Sequence, residues 1–207
     1  APTPIPKVRD GGSGQAQDPL PVIEAAIRAG VDLIQIRERD LGTRELLALA
    51  ERAAELAAKT PTRILVNDRL DIAQLAGVGL HLPAHSSPVR AVRDKVGHAL
   101  LIGASTHNLD ELHDAERGGA DFAVFGPVFA TPSKQEYGPP LGLDKLAEAA
   151  RAVRIPVLAL GGITIANAAD CIRSGAAGLA AISMFQTSSD LAATVRHLRN
   201  LATQQKP

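Results

Sequence analysis

The sequence predicts an α/β protein of the (β/α)8 barrel class, and three observations carry that reading. Short apolar runs alternate with amphipathic helical stretches along nearly the whole chain. Such continuously apolar runs between helices are the mark of a parallel sheet covered on both faces. The one GxG run, Gly77-Val78-Gly79, precedes its strand, and residue 82 is Leu, so a dinucleotide-binding turn is excluded. Finally, 207 residues suit a compact barrel of eight strand–helix units. Seven strands read directly from the chain. Closure depends on an eighth around residues 5–9, inside a Pro- and Gly-rich segment, 1–18, that otherwise reads as flexible. Residues 19–207 then form a single domain.

In chain order, 19–30 (PLPVIEAAIRAG) has helical spacing and a Gly stop, and 31–39 (VDLIQIRER) is a strand ending in charge. Residues 43–60 form a long amphipathic helix with Thr43 as N-cap. Strand 63–68 (RILVND) leads to a short helix, 69–77, and then to strand 79–83 (GLHLP). Ser87-Pro88 opens the next helix in N-cap and N1 order. Strand 100–106 precedes a helix at 108–119 with Asn108 and Glu111 at capping-box spacing. The run 122–129 (FAVFGPVF) is a buried strand that breaks into a polar loop reaching residue 142. Helix 143–153, strand 155–162, helix 163–175, strand 179–184 and helix 189–202 complete the pattern.

Composition narrows the function. Lys plus Arg and Asp plus Glu number 22 each, and only five residues are aromatic, with no Trp. Neither a nucleic-acid nor a membrane-surface partner fits that balance. Cys171 is the single cysteine, so an internal disulfide is impossible. Its helical context, AADCIRSG, reads as a packed thiol. No apolar run approaches membrane-spanning length, and residues 1–18 lack a signal-peptide layout, so a cytoplasmic location is expected.

In a barrel of this class the chemistry sits at the C-terminal ends of the strands. Those ends hold most of the polar groups of an apolar interior: Gln35, Arg37 and Arg39; Asn67 and Asp68; His81; Ser105, Thr106 and His107; Thr131, Ser133 and Lys134; Gly161 and Gly162; Ser183. Gln35, Arg37 and Arg39 are spaced by two, so on a strand all three face one way. Arg forks match phosphate oxygens, which points to a phosphorylated or diphosphorylated substrate. Ion pairing with Glu38, Asp40 or Asp68 is the competing reading, strongest for Arg39. Gly161-Gly162-Ile163-Thr164 and Ile182-Ser183 suit the phosphate site such barrels build after their last two strands, or a tight turn alone. Asp68 could hold Mg²⁺ or cap the helix after it. His81 and His85 lack metalloprotease spacing, so zinc is disfavoured.

Taken together, QIRER, VNDRLDIA, GLHLP, IGASTH, GADFAVFGPVFATPSK, PVLALGGIT and GAAGLAAIS resemble the thiamine phosphate synthase family, including its thiazole tautomerase branch. The resemblance spans about residues 31–185. It implies a (β/α)8 barrel that couples hydroxymethylpyrimidine diphosphate to a thiazole phosphate and releases pyrophosphate. By position it assigns Gln35, Arg37, Asn67 and Lys134 to the diphosphate and pyrimidine, with Arg39 where the family usually has Lys. It assigns Asp68 to Mg²⁺, and Ser105, Thr131 and Ser133 to the pyrimidine and pyrophosphate surroundings. Gly162, Ile182 and Ser183 fall to the thiazole phosphate. Arg37, Lys134 and Ser105 form the implied catalytic set.

The chain departs from the family pattern in three places. Ser86 stands where synthases carry a second metal carboxylate, so weaker Mg²⁺ binding is expected. Pro127 stands where the tautomerase carries its histidine, which leaves His107 or another nearby group as the base if the reaction is an isomerisation. The usual aromatic first strand has no clear counterpart in residues 1–18. A synthase is the leading expectation; a tautomerase-like isomerase and a non-catalytic barrel binding a thiamine precursor are the alternatives. Partners are small phosphorylated molecules, and a homo-oligomeric assembly is left open.

Overall fold

The structure is a computed structural model that describes residues 18–131 and 139–204. Seven strands form one sheet in sequential order: β1 (Leu33–Ile36), β2 (Arg63–Asn67), β3 (Gly79–Leu82), β4 (Ile102–Thr106), β5 (Phe122–Phe125), β6 (Val157–Leu160) and β7 (Gly178–Ala180). Every pairing is parallel. The helices, of which α1 precedes the first strand and α8 and α9 follow the last, are α1 (Leu20–Arg28), α2 (Thr43–Ala57), α3 (Leu70–Ala76), α4 (Val89–Val96), α5 (Leu109–Gly118), α6 (Gly142–Ala152), α7 (Ala168–Arg173), α8 (Ser183–Gln186) and α9 (Leu191–Gln204). The expected strand near residues 5–9 lies outside the described residues, so the observed sheet has seven parallel strands rather than eight.

Strand alternation divides most of the core between two clusters, with a small third one at Ala104, Ala115 and Ala120. Ile34, Ile36, Val66, Leu80, Phe125 and Ala159 face the helices and join the larger one. Leu33, Leu65, Phe122, Val124, Leu158, Leu160 and Ala180 point the other way and pack on each other. That second cluster draws from β1 and β7, the two ends of the sheet, as well as from its middle, so the sheet curls around it. Arg199 of α9 also reaches back to the start of β1, donating to the Gly30 carbonyl at 2.7 Å and to Asp32 at 2.8 Å. With so few aromatics, the interior is filled by aliphatic side chains and by Phe122. Gly103 leaves room for that ring, since a Cβ there would lie 2.2 Å from the Phe122 Cζ.

Several boundaries differ from the sequence reading. The first strand ends at Ile36 rather than residue 39. Gly42, not Thr43, precedes α2, and its N–H donates to the Glu45 carboxylate at 3.0 Å, while the Thr43 hydroxyl accepts from Arg69 at 3.0 Å. The run 122–129 is regular only to Phe125. Pro127 has no N–H for the ladder and follows a cis peptide bond, although Val128 and Phe129 still donate to the carbonyls of Leu160 and Gly161. The last helix before β7 begins at Ala168 rather than 163, because Asn167 holds a turn open. Its Oδ1 accepts from the Thr164 N–H at 2.7 Å, and its Nδ2 donates to the Gly162 carbonyl at 2.9 Å.

Where the strands begin, Arg93 of α4 binds the lower rim together. It donates to the carbonyls of Gly119, Gly97 and Leu100 at 2.9, 2.6 and 3.0 Å, and to the Asp121 carboxylate at 2.7 Å. Asp121 in turn accepts from the Ile102 N–H at 2.6 Å. A cavity of about 570 Å³ opens on this same rim, lined by Arg63, Gly79, Leu101 and Asp121 among others. It adjoins the strand starts and is separate from the polar strand ends.

Cys171 is buried in α7, and burial pushes its thiol up from 9.0 to about 11. The unfolded chain therefore ionises first. Stability is expected to be independent of this group below about pH 9 and to fall by roughly 2–3 kcal/mol as pH rises toward 11. Denaturant midpoints across that range should show the loss, and Cys171→Ala should flatten it. Among the described residues no helix is long and apolar enough to cross a membrane.

Candidate active site

Four polar side chains interrupt the inner apolar cluster, all toward the strand ends. Gln35 on β1, Asn67 on β2, His81 on β3 and Ser105 on β4 share the inward face, because Asn67 pairs directly with His81 and His81 with Gly103 in the parallel register. They join in two pairs. Gln35 Nε2 donates to Asn67 Oδ1 at 2.6 Å, and His81 Nε2 lies 2.8 Å from Ser105 Oγ. Gln35 and His81 are each only 1% exposed, so both are shielded from bulk water. The Phe122 ring stands beside His81, with centroids 6.2 Å apart.

Gln35 Oε1 is buried and has no hydrogen-bond partner among the described residues. Leaving such an acceptor unmatched costs about 1–3 kcal/mol. A ligand donor or a bound water can complete the bond. On this curled aliphatic sheet, four adjacent strands together present a polar floor of hydrogen-bonding groups.

The arginines sit differently from the expectation. β1 stops at Ile36, so strand alternation fixes neither Arg37 nor Arg39; Arg37 is half-buried just past the strand and Arg39 is exposed in the following bend. Asp68 takes a left-handed backbone (φ 58°) directly after β2, with its N–H donating to the His81 carbonyl at 2.9 Å. It does not cap α3. Arg69 is the residue before that helix, and the Asp68 carboxylate instead accepts from the Ser86 hydroxyl. Arg69 forks onto Asp71 at 2.9 and 2.7 Å, which holds the Asp71 carboxyl below its ordinary value.

Asp68 and Ser86 are hard oxygen donors of the type Mg²⁺ accepts, but they bring one negative charge. Among the described residues no group of three or more His, Cys, Asp or Glu gathers to hold a metal. The donor set fits a Mg²⁺ ion that takes its remaining ligands from water and from phosphates.

On the other side of the strand ends, Thr131 is half-buried, while Ser133 and Lys134 lie outside the described residues. Gly161 and Gly162 have φ of 100° and 62° and pack under the segment after β5. A Cβ would lie 2.6 Å from Pro127 at the first and 2.7 Å from the Ala130 carbonyl at the second, so both positions need glycine. Ser183, read from sequence as a strand residue, opens the four-residue helix α8, with Ile182 just before it. A short extra helix beside the loop after the preceding strand is the arrangement that binds phosphate in barrels of this class.

His107 stands apart from this floor. Its Nδ1 lies 3.1 Å from Glu111 Oε2, and Glu111 also accepts the His107 N–H at 2.8 Å, within the Asn108 cap of α5. The sequence reading placed His81 among the polar strand ends but gave it no role in binding or catalysis. The signal was there: in GLHLP it is the one polar residue at an inward position of an apolar strand.

The thiamine monophosphate synthase family matches residues 8–185 of the chain. The thiamine-phosphate synthase of Chloroflexus aurantiacus is 40% identical over 202 residues, covering 96% of this chain and 93% of that protein. The thiamine-phosphate synthase of Roseiflexus castenholzii is 40% identical over 186 residues, 89% of this chain and 82% of that protein. Among solved structures, thiamine phosphate pyrophosphorylase from Pyrococcus furiosus superposes with a TM-score of 0.85 at 27% identity, covering 98% of this chain and 96% of that one. The motifs at the strand ends and these matches along nearly the full length agree: the chain belongs to the thiamine monophosphate synthase family.

Proposed function

We propose that the chain couples hydroxymethylpyrimidine diphosphate to a thiazole phosphate and releases pyrophosphate. The observation that carries this reading is the polar floor of Gln35, Asn67, His81 and Ser105, with a buried acceptor on Gln35 awaiting a donor. A pyrimidine-sized ring bearing hydrogen-bonding groups fits those needs, and the family supplies the identity.

In the reaction the C–O bond between the pyrimidine methylene and the diphosphate breaks, and the electron pair leaves with pyrophosphate. The thiazole nitrogen then donates its lone pair to the methylene carbon, forming the C–N bond and leaving the ring as a thiazolium. Gln35 and Asn67 orient the pyrimidine, and Ser105, itself held by His81, sits against it. Arg37, Arg39, Thr131, Ser133 and Lys134 take the diphosphate, with Arg37 and Lys134 stabilising the departing charge. Gly162, Ile182 and Ser183 hold the thiazole phosphate through backbone N–H groups. Mg²⁺, when bound at Asp68, supplies further positive charge to the leaving group.

The same reading closes the sheet into an eight-stranded barrel and treats 19–207 as one domain. A cytoplasmic location suits soluble phosphorylated substrates and a lone buried thiol. The test is pyrophosphate release from the two substrates with saturating Mg²⁺, beside an active control synthase. Turnover that needs both substrates is the expected result, and none under those conditions would overturn the proposal.

A further inference from the structure

The contact between Asp68 and Ser86 has a consequence for when a cation can bind. Asp68 is pinned by its backbone bond to the His81 carbonyl, and Ser86 by its own N–H bond to the Pro83 carbonyl at 3.0 Å. The Ser86 hydroxyl donates to Asp68 Oδ1, so one oxygen of the carboxylate is already engaged, and Ser86 contributes no charge in return. Asp68 is exposed, so its other oxygen is hydrated. One hydrated carboxylate competes poorly with the water shell of Mg²⁺, which dehydrates reluctantly and is usually held jointly by protein carboxylate and ligand phosphate.

We infer that Ser86 makes the cation site conditional on the diphosphate: a divalent ion settles on Asp68 only together with a phosphate-bearing ligand, and the free protein does not retain it. This rests on the assignment of Asp68 and the diphosphate site made above. The free protein then stays unloaded at ordinary Mg²⁺, and the ion arrives with the diphosphate. A carboxylate at position 86 would remove that dependence by adding a second anionic oxygen donor facing Asp68.

Equilibrium dialysis of the full chain with Mn²⁺, read by the paramagnetic signal of protein-retained ion, tests this without turnover. Wild-type protein with pyrophosphate is expected to retain one Mn²⁺ per chain at least about tenfold more tightly than without it, and Asp68→Ala should abolish that gain. Ser86→Asp should bind Mn²⁺ at least about tenfold more tightly than wild type in the absence of pyrophosphate. Ser86→Ala, which frees the oxygen but adds no charge, should stay within about twofold of wild type. Circular dichroism on each variant verifies that it is folded. Equal retention with and without pyrophosphate overturns the inference, as does a folded Ser86→Asp no tighter than wild type. Separate thermal-shift measurements with pyrophosphate alone distinguish the deeper failure: no stabilisation of wild type overturns the diphosphate site itself, and this inference with it.

Discussion

Arg37→Ala is expected to lower kcat/KM for pyrophosphate release by about 10²–10³-fold, the effect of removing one donor aimed at developing negative charge. It should also erase the thermal stabilisation that pyrophosphate gives the wild-type protein. Half-buried at the end of β1, Arg37 follows the strand that carries Gln35 onto the polar floor. Two residues on, Arg39 is exposed, so solvent screens it and its replacement should cost less. Arg37→Lys keeps the charge and loses the planar fork, so it should recover only part of the activity. Steady-state kinetics with a melting curve on each variant separates the outcomes. Unchanged pyrophosphate stabilisation in a folded Arg37→Ala would remove Arg37 from the anion site.

The second large effect is on stability. Arg93→Ala should destabilise the protein by roughly 3 kcal/mol, in the range for breaking a mostly buried ion pair that also satisfies backbone carbonyls. Three carbonyls and one carboxylate lose their donor together. Asp121 is 37% exposed at its side chain, which lets water recover part of its loss and keeps the figure from rising further. For a chain of this size the shift in Tm is about 6–12 °C. Arg93→Lys should recover less than half, since an ammonium cannot span the same four acceptors. Because this network lies on the rim where strands begin, kcat at 25 °C should be unchanged in Arg93→Ala. A Tm within about 2 °C of wild type would show that the network adds little.

Much of the architecture was legible in the chain. Apolar runs of strand length separated by amphipathic helices require a parallel sheet with helices against it, and every described strand is where such a run occurs. The polar floor was legible too, since Gln35, Asn67, His81 and Ser105 interrupt apolar strands at positions that alternation turns inward. Family motifs then supplied the reaction, which no spacing rule could have done.

What the chain could not show is where regularity stops. Apolar and charged residues continue past Ile36 and Phe125, yet both strands end there: the first by leaving its neighbour β2, the second at a proline that cannot donate. Asp68 looked equally suited to capping a helix or holding a metal, and the fold decided otherwise by bringing Ser86, eighteen residues away, onto its carboxylate. Arg93 gave no sign of its role, because its acceptors come from two separate loops, the one after α4 and the one after α5. Local periodicity and the apolar pattern of the chain set the order of elements and which side chains face inward. Strand ends, the partner of Asp68 and the reach of Arg93 to Gly119 and Asp121 emerge on folding, since each depends on a group distant in the chain that comes close when the sheet curls.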